Sequence, residues 1–329
     1  MATVSLSEKV KFYENVFGAG RMARNCKNFD VRCPICAPTD PSKKKLAILV
    51  EDDRCHCWVC GYKSFTLAPL IRKYGTQAQL IEYRDRFMPI VEGSYRSRCV
   101  QIWIGEGKEP EKLKLPKDFQ LLATSSTRDP DVLAIKKYLI TRRISEDDMW
   151  YFKLGYSNYP KWGRRVIMPS FNKDGELNHY IGRTVDKYKK PKYEAPEGER
   201  KQIIFNEINI DWTQRLVLCE GAFDLVKCGD NAVPLLGSDL NEQSALFNSI
   251  VAHGTPIALA LDADMKLRKT PRVAKKLMDY NIDVVMVEVQ TDPGDMSKQE
   301  FKAALKAAKP YDWQQSFLDK LENAARISL

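Results

Sequence analysis

The sequence predicts a mixed α/β chain in three parts: a small cysteine-stapled β domain, an α+β middle, and an open parallel sheet with flanking helices. Three observations carry this. Two C-x-x-C pairs, Cys33-Pro34-Ile35-Cys36 and Cys57-Trp58-Val59-Cys60, lie 20 residues apart. The alternating runs around Asn172-Lys173-Asp174-Gly175 read as a hairpin and its turn. Short apolar runs ending at Cys219 and Leu261 are each followed at once by acids, Glu220 and Asp262.

Composition sets the frame. A chain of 329 residues suggests about two to three domains. No apolar run approaches the roughly 18 residues of a membrane span, and the N-terminus lacks a secretory apolar stretch. A reducing cytoplasm is therefore expected, where the nine cysteines serve as metal ligands and buried thiols rather than disulfides. The net charge is +9. Cations are in surplus over residues 1–215 and acids over 216–329. That asymmetry suits a polyanion held against bound cations.

Taken in order, residues 6–24 read as one amphipathic helix, with Leu6, Val10, Tyr13, Val16 and Phe17 at helical spacing. Two C-x-x-C knuckles at this separation match a tetrahedral zinc ribbon, with a hairpin over Lys45–Val50 and Arg54–Trp58 between them. Gly61 permits the turn after the last cysteine. Cys55 and His56 flank Cys57, so the third ligand stays open among these three, and Cys26 is a spectator. Arg32, Lys43, Lys44, Lys45, Arg54, Trp58 and Tyr62 mix cations with aromatic faces, as single-stranded nucleic acid requires. Trp58 fits base stacking and packing inside the ribbon equally. Residues 64–90 read as helical and complete a domain over 1–90. Residues 91–118, rich in Gly, Pro, Lys and Glu, read as a tether.

In the middle, helices are expected over 131–141 and from Ser145, which caps the acids Glu146 and Asp147. The hairpin over 164–184 follows, then Pro191-Lys192-Tyr193 and a short strand at 203–206. From 215 the pattern turns to buried strands at 216–219, 232–238, 256–261 and 282–289, with a helix over 271–280. Period-two alternation puts Asp262 and Asp264 on one side of their strand. Glu220 and Asp224 are four residues apart at a helix start. If the two acid-bearing strands are parallel neighbours, the carboxylates converge at their C-terminal ends, where open α/β sheets bind ligands. Such a cluster calls for a cation, and hard oxygen ligands suit Mg²⁺ or Mn²⁺. Residues 291–295 form a further acidic turn, and the tail from 296 reads as helical.

The E-G-x-x-D stretch (Glu220, Gly221, Asp224) and the later D-x-D (Asp262, Asp264) resemble the TOPRIM module of primases, topoisomerases and some nucleases. The cysteine knuckles resemble the N-terminal zinc-binding domain of prokaryotic primases. The order of Arg164, the hairpin, Gly182-Arg183 and Pro191-Lys192-Tyr193 resembles the basic subdomain that precedes TOPRIM in the same enzymes. The whole chain thus looks like a DnaG-type DNA primase, most similar to short phage versions.

The resemblance implies domains at 1–90 (ribbon), 91–118 (linker), 119–214 (basic subdomain), 215–300 (Rossmann-like TOPRIM sheet) and 301–329 (helical tail). It implies catalytic Glu220, Asp262 and Asp264, with Asp224, Asp292 and Asp295 as further ligands for two or more Mg²⁺ or Mn²⁺. Cys33, Cys36, Cys57 and Cys60 would hold one structural Zn²⁺. Arg164, Arg183, Lys192 and Trp58 would contact template or nucleotide phosphates and bases. The expected activity is synthesis of short RNA primers on single-stranded DNA from ribonucleoside triphosphates. A replicative helicase in trans is the expected partner, since the sequence carries no G-x-x-x-x-G-K-[ST] phosphate loop. The alternatives are a TOPRIM nuclease and a non-catalytic single-strand-binding adaptor.

Overall fold

A computed structural model of the chain describes residues 4–24, 26–36, 43–88, 112–196, 203–237, 239–261, 270–289 and 291–312. It is a mixed α/β structure with three five-stranded sheets, and it divides into two compact units. The first unit comprises Met1–Val91 with Leu240–Thr255 and Lys276–Ile282; the second holds the remainder. Among the described residues no helix is long and apolar enough to cross a membrane.

The first unit opens on the helix Leu6–Phe17. A reciprocal capping box between Ser5 and Glu8 starts it. It is shorter than the expected 6–24 because Gly18 ends it at φ +80°, a conformation that side chains disfavour. The chain then enters a wholly antiparallel sheet in sequential order: β1 (Arg21–Met22), β2 (Asn28–Val31), β3 (Leu46–Leu49), β4 (Cys55–Cys57) and β5 (Lys63–Ser64). The expected hairpin is β3–β4, with Leu46 opposite Cys57. The expected helical stretch after it breaks into Ala68–Tyr74, Gln77–Glu82 and a π-helical turn Tyr83–Phe87. Gly75 and the Thr76 capping box separate the first two.

Phe12, Phe29, Val31, Leu46, Ile48, Leu70 and Phe87 fill the core between helices and sheet. One charge is buried there. Asp53 accepts hydrogen bonds from Lys9 Nζ at 3.0 Å, from the Tyr83 hydroxyl at 3.2 Å and from the Tyr13 hydroxyl. Burial pushes its carboxyl up; the Lys9 charge and the hydroxyls oppose this. The network ties the first helix and the π turn to the β3–β4 connection, compensating a charge that would be costly alone.

The same unit contains the helix Ala245–His253. Asn248 on it accepts from Ser64 Oγ at 3.1 Å and from Thr66 Oγ1 at 2.9 Å, all three side chains being buried. Its amide donates to the Glu242 and Ser244 carbonyls. Arg72 donates to the carbonyls of Tyr280 and Asn281 at 2.7 and 2.9 Å. These bonds join the end of β5 and the residues after it to two segments 182 to 209 residues away in sequence. Most of the expected tether lies outside the described residues.

The second unit contains two sheets. The first is antiparallel, ordered β10-β9-β8-β7-β6: β6 (Gln120–Leu121), β7 (Gly155–Tyr156), β8 (Arg165–Phe171), β9 (Leu177–Thr184) and β10 (Tyr193–Glu194). The β8–β9 hairpin turns where expected. Gly175 adopts φ +79°, and Asn172 Oδ1 accepts from the Asp174 and Glu176 amides. Helices Pro130–Thr141, capped by Asp129, and Glu146–Tyr151, capped by Ser145, match the expected pair.

The second sheet runs β12-β11-β13-β14-β15: β11 (Leu216–Cys219), β12 (Ala232–Pro234), β13 (Ile257–Ala260), β14 (Val284–Met286) and β15 (Lys309–Pro310). The first four strands are parallel. Every residue of β11 and β13 is buried, as apolar runs without alternation require. The tail departs from expectation. After the helix Lys298–Lys306 it forms β15, antiparallel to β14 at the sheet edge, a position that tolerates Pro310. The rest of the tail lies outside the described residues.

Replacing Asn248 with leucine removes the acceptor shared by Ser64 and Thr66. Two buried hydroxyls at about 1–3 kcal/mol each predict a loss of roughly 2–6 kcal/mol, read as a lower urea midpoint; an unchanged midpoint refutes this account.

Candidate active site and metal centre

The metal centre is built by turns. Cys33 and Cys36 follow β2; Cys57 ends β4, and Cys60 follows it. Gly61 at φ +72° closes the second knuckle and donates to the Cys57 carbonyl at 3.0 Å. The sulfurs of Cys33, Cys36, Cys57 and Cys60 all lie within 4.8 Å of one another. Cys33 Sγ is 3.9 Å from Cys60 Sγ, and Cys36 Sγ is 3.7 Å from Cys57 Sγ. A tetrahedron with Zn–S bonds of about 2.3 Å has edges of about 3.8 Å, so this donor set fits a zinc ion by number, type and spacing.

Geometry resolves the ligand left open in the sequence. Alternation along β4 turns Cys55 and Cys57 to the buried face and His56 away, where its ring lies tilted against Trp58 at 4.2 Å; of the two buried thiols only Cys57 stands with Cys33, Cys36 and Cys60. Burial pushes the Cys57 thiol up, but backbone amides of Cys60 and Val59 and neighbouring thiols outweigh it and hold it at about 7. Trp58 is 72% exposed, so packing inside the ribbon is not its role.

The acidic site forms at the C-terminal edge of the parallel sheet. β11 and β13 are adjacent, with Cys219 level with Ala260. Glu220 follows the first of these strands directly. Asp262 and Asp264 follow the second but lie outside the described residues. The Glu220–Asp224 turn is fixed by a reciprocal pair: Gly221 N donates to Asp224 Oδ2 at 2.8 Å, and Asp224 N to the Gly221 carbonyl at 3.2 Å. A Cβ on Gly221 would stand 2.9 Å from Asp224 Oδ2, which explains the glycine of the motif.

The acidic turn at 291–295 packs against this one. Asp292 caps a short 3₁₀ helix, Pro293–Asp295, by accepting from Gly294 N at 2.8 Å. A Cβ on Gly294 would meet Arg142 Nη2, Asp224 Oδ1 at 2.6 Å and Asp292 Oδ1 at 3.1 Å. The structure therefore brings Asp224, Asp292 and Asp295 together around Gly294. Arg142, which the sequence reading did not single out, joins them through a 3.2 Å ion pair with Asp295. No local pattern marks Arg142, because its partner is brought in by the fold from the far end of the chain.

Beside the acids stands an aromatic cage around Arg183. Its guanidinium lies 5.7, 5.4 and 5.7 Å from the ring centroids of Tyr138, Tyr193 and Phe223, and Nη1 donates to the Tyr193 hydroxyl at 2.8 Å. Burial pushes the Tyr193 phenol up to about 12; Arg183 pulls it down and Asp224 pushes it up, so both charges stand beside the ring. Tyr138 and Tyr193 were likewise not foreseen as site residues. Lys192 Nζ lies 5.7 Å from the Tyr193 ring centroid. Arg164 is placed differently: Asp186 binds it through Nε and Nη2 at 2.7–3.0 Å, and Asp131 at 2.8 Å. It laces the hairpin to the helix Pro130–Thr141.

No protein-family model matches the chain. A curated DNA primase from Staphylococcus aureus (strain COL) is 24% identical over 159 residues, which is 44% of this chain and 26% of that protein. The match thus spans about a quarter of its relative. Among solved structures, a DnaG catalytic core overlaps 56% of this chain and 76% of its own, at 18% identity and a TM-score of 0.46. The zinc-binding and RNA polymerase domains of Aquifex aeolicus primase overlap 98% of this chain and 90% of theirs, at 15% identity and a TM-score of 0.42. The primase resemblance carried by the motifs is thus met by a similar curated DNA primase.

The zinc assignment has a direct check. Purified wild-type protein should carry one zinc per chain by elemental analysis, and Cys33→Ser/Cys60→Ser protein none. Structural zinc binds with about 10–16 kcal/mol, so the variant should also lose the ribbon's protection from proteolysis. A variant that keeps its zinc refutes the cluster as the metal centre.

Proposed function

We propose that the chain is a DNA primase: a DNA-templated RNA polymerase that makes short RNA primers on single-stranded DNA from ribonucleoside triphosphates. The observation that carries the reading is the close approach of Asp224, Asp292 and the Asp295–Arg142 pair around Gly294, at the end of a parallel sheet where Glu220 directly follows β11, with caged Arg183 beside the same tyrosine as Asp224. The four-sulfur cluster and the similar curated primase support it.

The donor set near Gly294 is all oxygen, which fits Mg²⁺ or Mn²⁺. Glu220, Asp224, Asp292 and Asp295 would hold the ions, together with Asp262 and Asp264. Ions held by these carboxylates would supply positive charge to a 3′-hydroxyl and to the leaving pyrophosphate. Arg142 holds Asp295 in place within the cluster. Arg183 and Lys192 offer charge to nucleotide or template phosphates. Arg164, already engaged with two carboxylates, positions the hairpin that carries Arg183. The TOPRIM assignment, the domain boundaries given above, the helicase partner, the cytoplasmic location and a phage origin belong to the same reading.

The test is primer synthesis on mixed-sequence single-stranded DNA with labelled ribonucleotides and Mg²⁺ or Mn²⁺. Wild type should yield short RNA, and Glu220→Gln should lower the yield about a hundredfold or more, the scale set by losing one preorganised charge-stabilising group. Shortened template without RNA would establish a nuclease instead. Single-strand binding without either product, also after a replicative helicase is added, would establish an adaptor.

A further inference from the structure

Two loops of the second unit carry exposed aromatic and cationic side chains that the primer chemistry does not use. In the loop after β7, Tyr159 is 63% exposed; in the loop after β9, Tyr188 is 86% exposed. A tyrosine gains nothing from water on both ring faces, and elsewhere in this unit Tyr156 and Tyr180 are buried.

The loops are held in place. Asp118 accepts from Ser157 Oγ at 2.6 Å and from Asn158 N at 2.7 Å. The Tyr159 carbonyl accepts from the amides of Trp162 and Gly163 at 2.7 and 2.9 Å. Trp162 is buried against Tyr180, with ring centroids 5.1 Å apart, and against Gly182, where a Cβ would stand 2.9 Å from the indole. The two loops are also laced to each other. Arg164 binds Asp186 bidentately, Lys189 Nζ donates to the Gly163 carbonyl at 2.6 Å, and Val185 N donates to the Arg164 carbonyl at 3.1 Å. Both tyrosines therefore stand on a stiff support.

Charge completes the pattern. Lys187 Nζ lies 5.6 Å from the Tyr188 ring centroid, and Lys161 Nζ 5.5 Å from that of Trp162. Lys187, Lys190 and Lys192 are exposed. Asp186 is matched by Arg164 and Glu194 by Lys161, so the surface between them is cationic.

We propose that Tyr159 and Tyr188, with Lys187 and Lys190, form a platform for single-stranded nucleic acid, the rings stacking on unpaired bases and the lysines meeting the phosphates. Ring faces can stack on a base only where the base is unstacked, which selects single strands over duplex. The aromatic contacts make the platform tolerant of sequence, and the lysines make it sensitive to salt. This deepens the primase reading by assigning template contacts outside the acidic site.

The experiment measures equilibrium binding of the full-length protein to a fluorescein-labelled oligothymidylate, with no nucleotide or divalent ion. It is run with Trp58 intact and again with Trp58→Ala, so that the ribbon cannot mask the platform. Stacking measured elsewhere by alanine substitution corresponds to about five- to 150-fold per base. Tyr188→Ala/Tyr159→Ala should therefore weaken binding at least about fivefold in the Trp58→Ala background, while Tyr188→Phe/Tyr159→Phe retains it. Lys187→Gln/Lys190→Gln should flatten the plot of log affinity against log salt by about 1.4, from about 0.7 per phosphate contact. Wild-type affinity in the alanine pair, equal loss in the phenylalanine pair, or duplex bound as tightly as single strand overturns the platform. Because no synthesis is read, loss of binding alongside inactive primer synthesis would keep the platform and reject the polymerase. Unchanged binding alongside active synthesis would do the reverse.

Discussion

The acidic site depends on the parallel pairing of β11 and β13. Aligning Cys219 with Ala260 brings the chain out of two buried strands at the same edge, where Glu220 directly follows β11. Parallel strands present their ends together only when crossovers return the chain to the same starting edge. That arrangement concentrates negative charge at one point, and the rest of the site answers it. Arg142 pairs with Asp295, the Gly221 amide with Asp224, the Gly294 amide with Asp292, and Arg183 lies beside the ring of Tyr193.

Glycines set how close these groups come. Gly221 and Gly294 each stand where a methyl group would strike a carboxylate oxygen. Neither adopts a positive φ, so space rather than torsion selects them. The cysteine centre works differently: there Gly61 is chosen for its positive φ, because the knuckle must turn sharply after Cys60. One residue type thus serves two physical purposes in the two centres.

Much of this was legible from residue order. The two knuckles, the β3–β4 and β8–β9 hairpins, the capped helix from Glu146 and the buried strands of the parallel sheet all stand near their expected places, because each rests on local periodicity or turn chemistry. Three expectations failed: Gly18 cut the first helix short, the strand expected at 203–206 is a turn in which Asn206 adopts φ +64° ahead of a 3₁₀ helix, and the tail gave an edge strand whose pairing with β14 no local signal announces. Arg142, Tyr138 and Tyr193 were missed because their importance comes from neighbours remote in sequence.

By itself the sequence determined the chemistry available: four thiols at ribbon spacing, oxygen donors after apolar strands, and a hairpin bearing Arg183. Local rules suffice there, since a knuckle, a cap or a turn is closed by residues within a few positions of each other. Tertiary structure alone decided which of three adjacent candidates completes the sulfur cluster, by standing Cys57 with the other three sulfurs and turning His56 against Trp58. It also decided that Arg164 is held between Asp186 and Asp131 while Arg183 is caged by aromatic rings, and that Asn248 binds Ser64 and Thr66. Those outcomes depend on through-space packing, where charge and hydrogen-bond capacity are matched between segments that no short-range pattern connects.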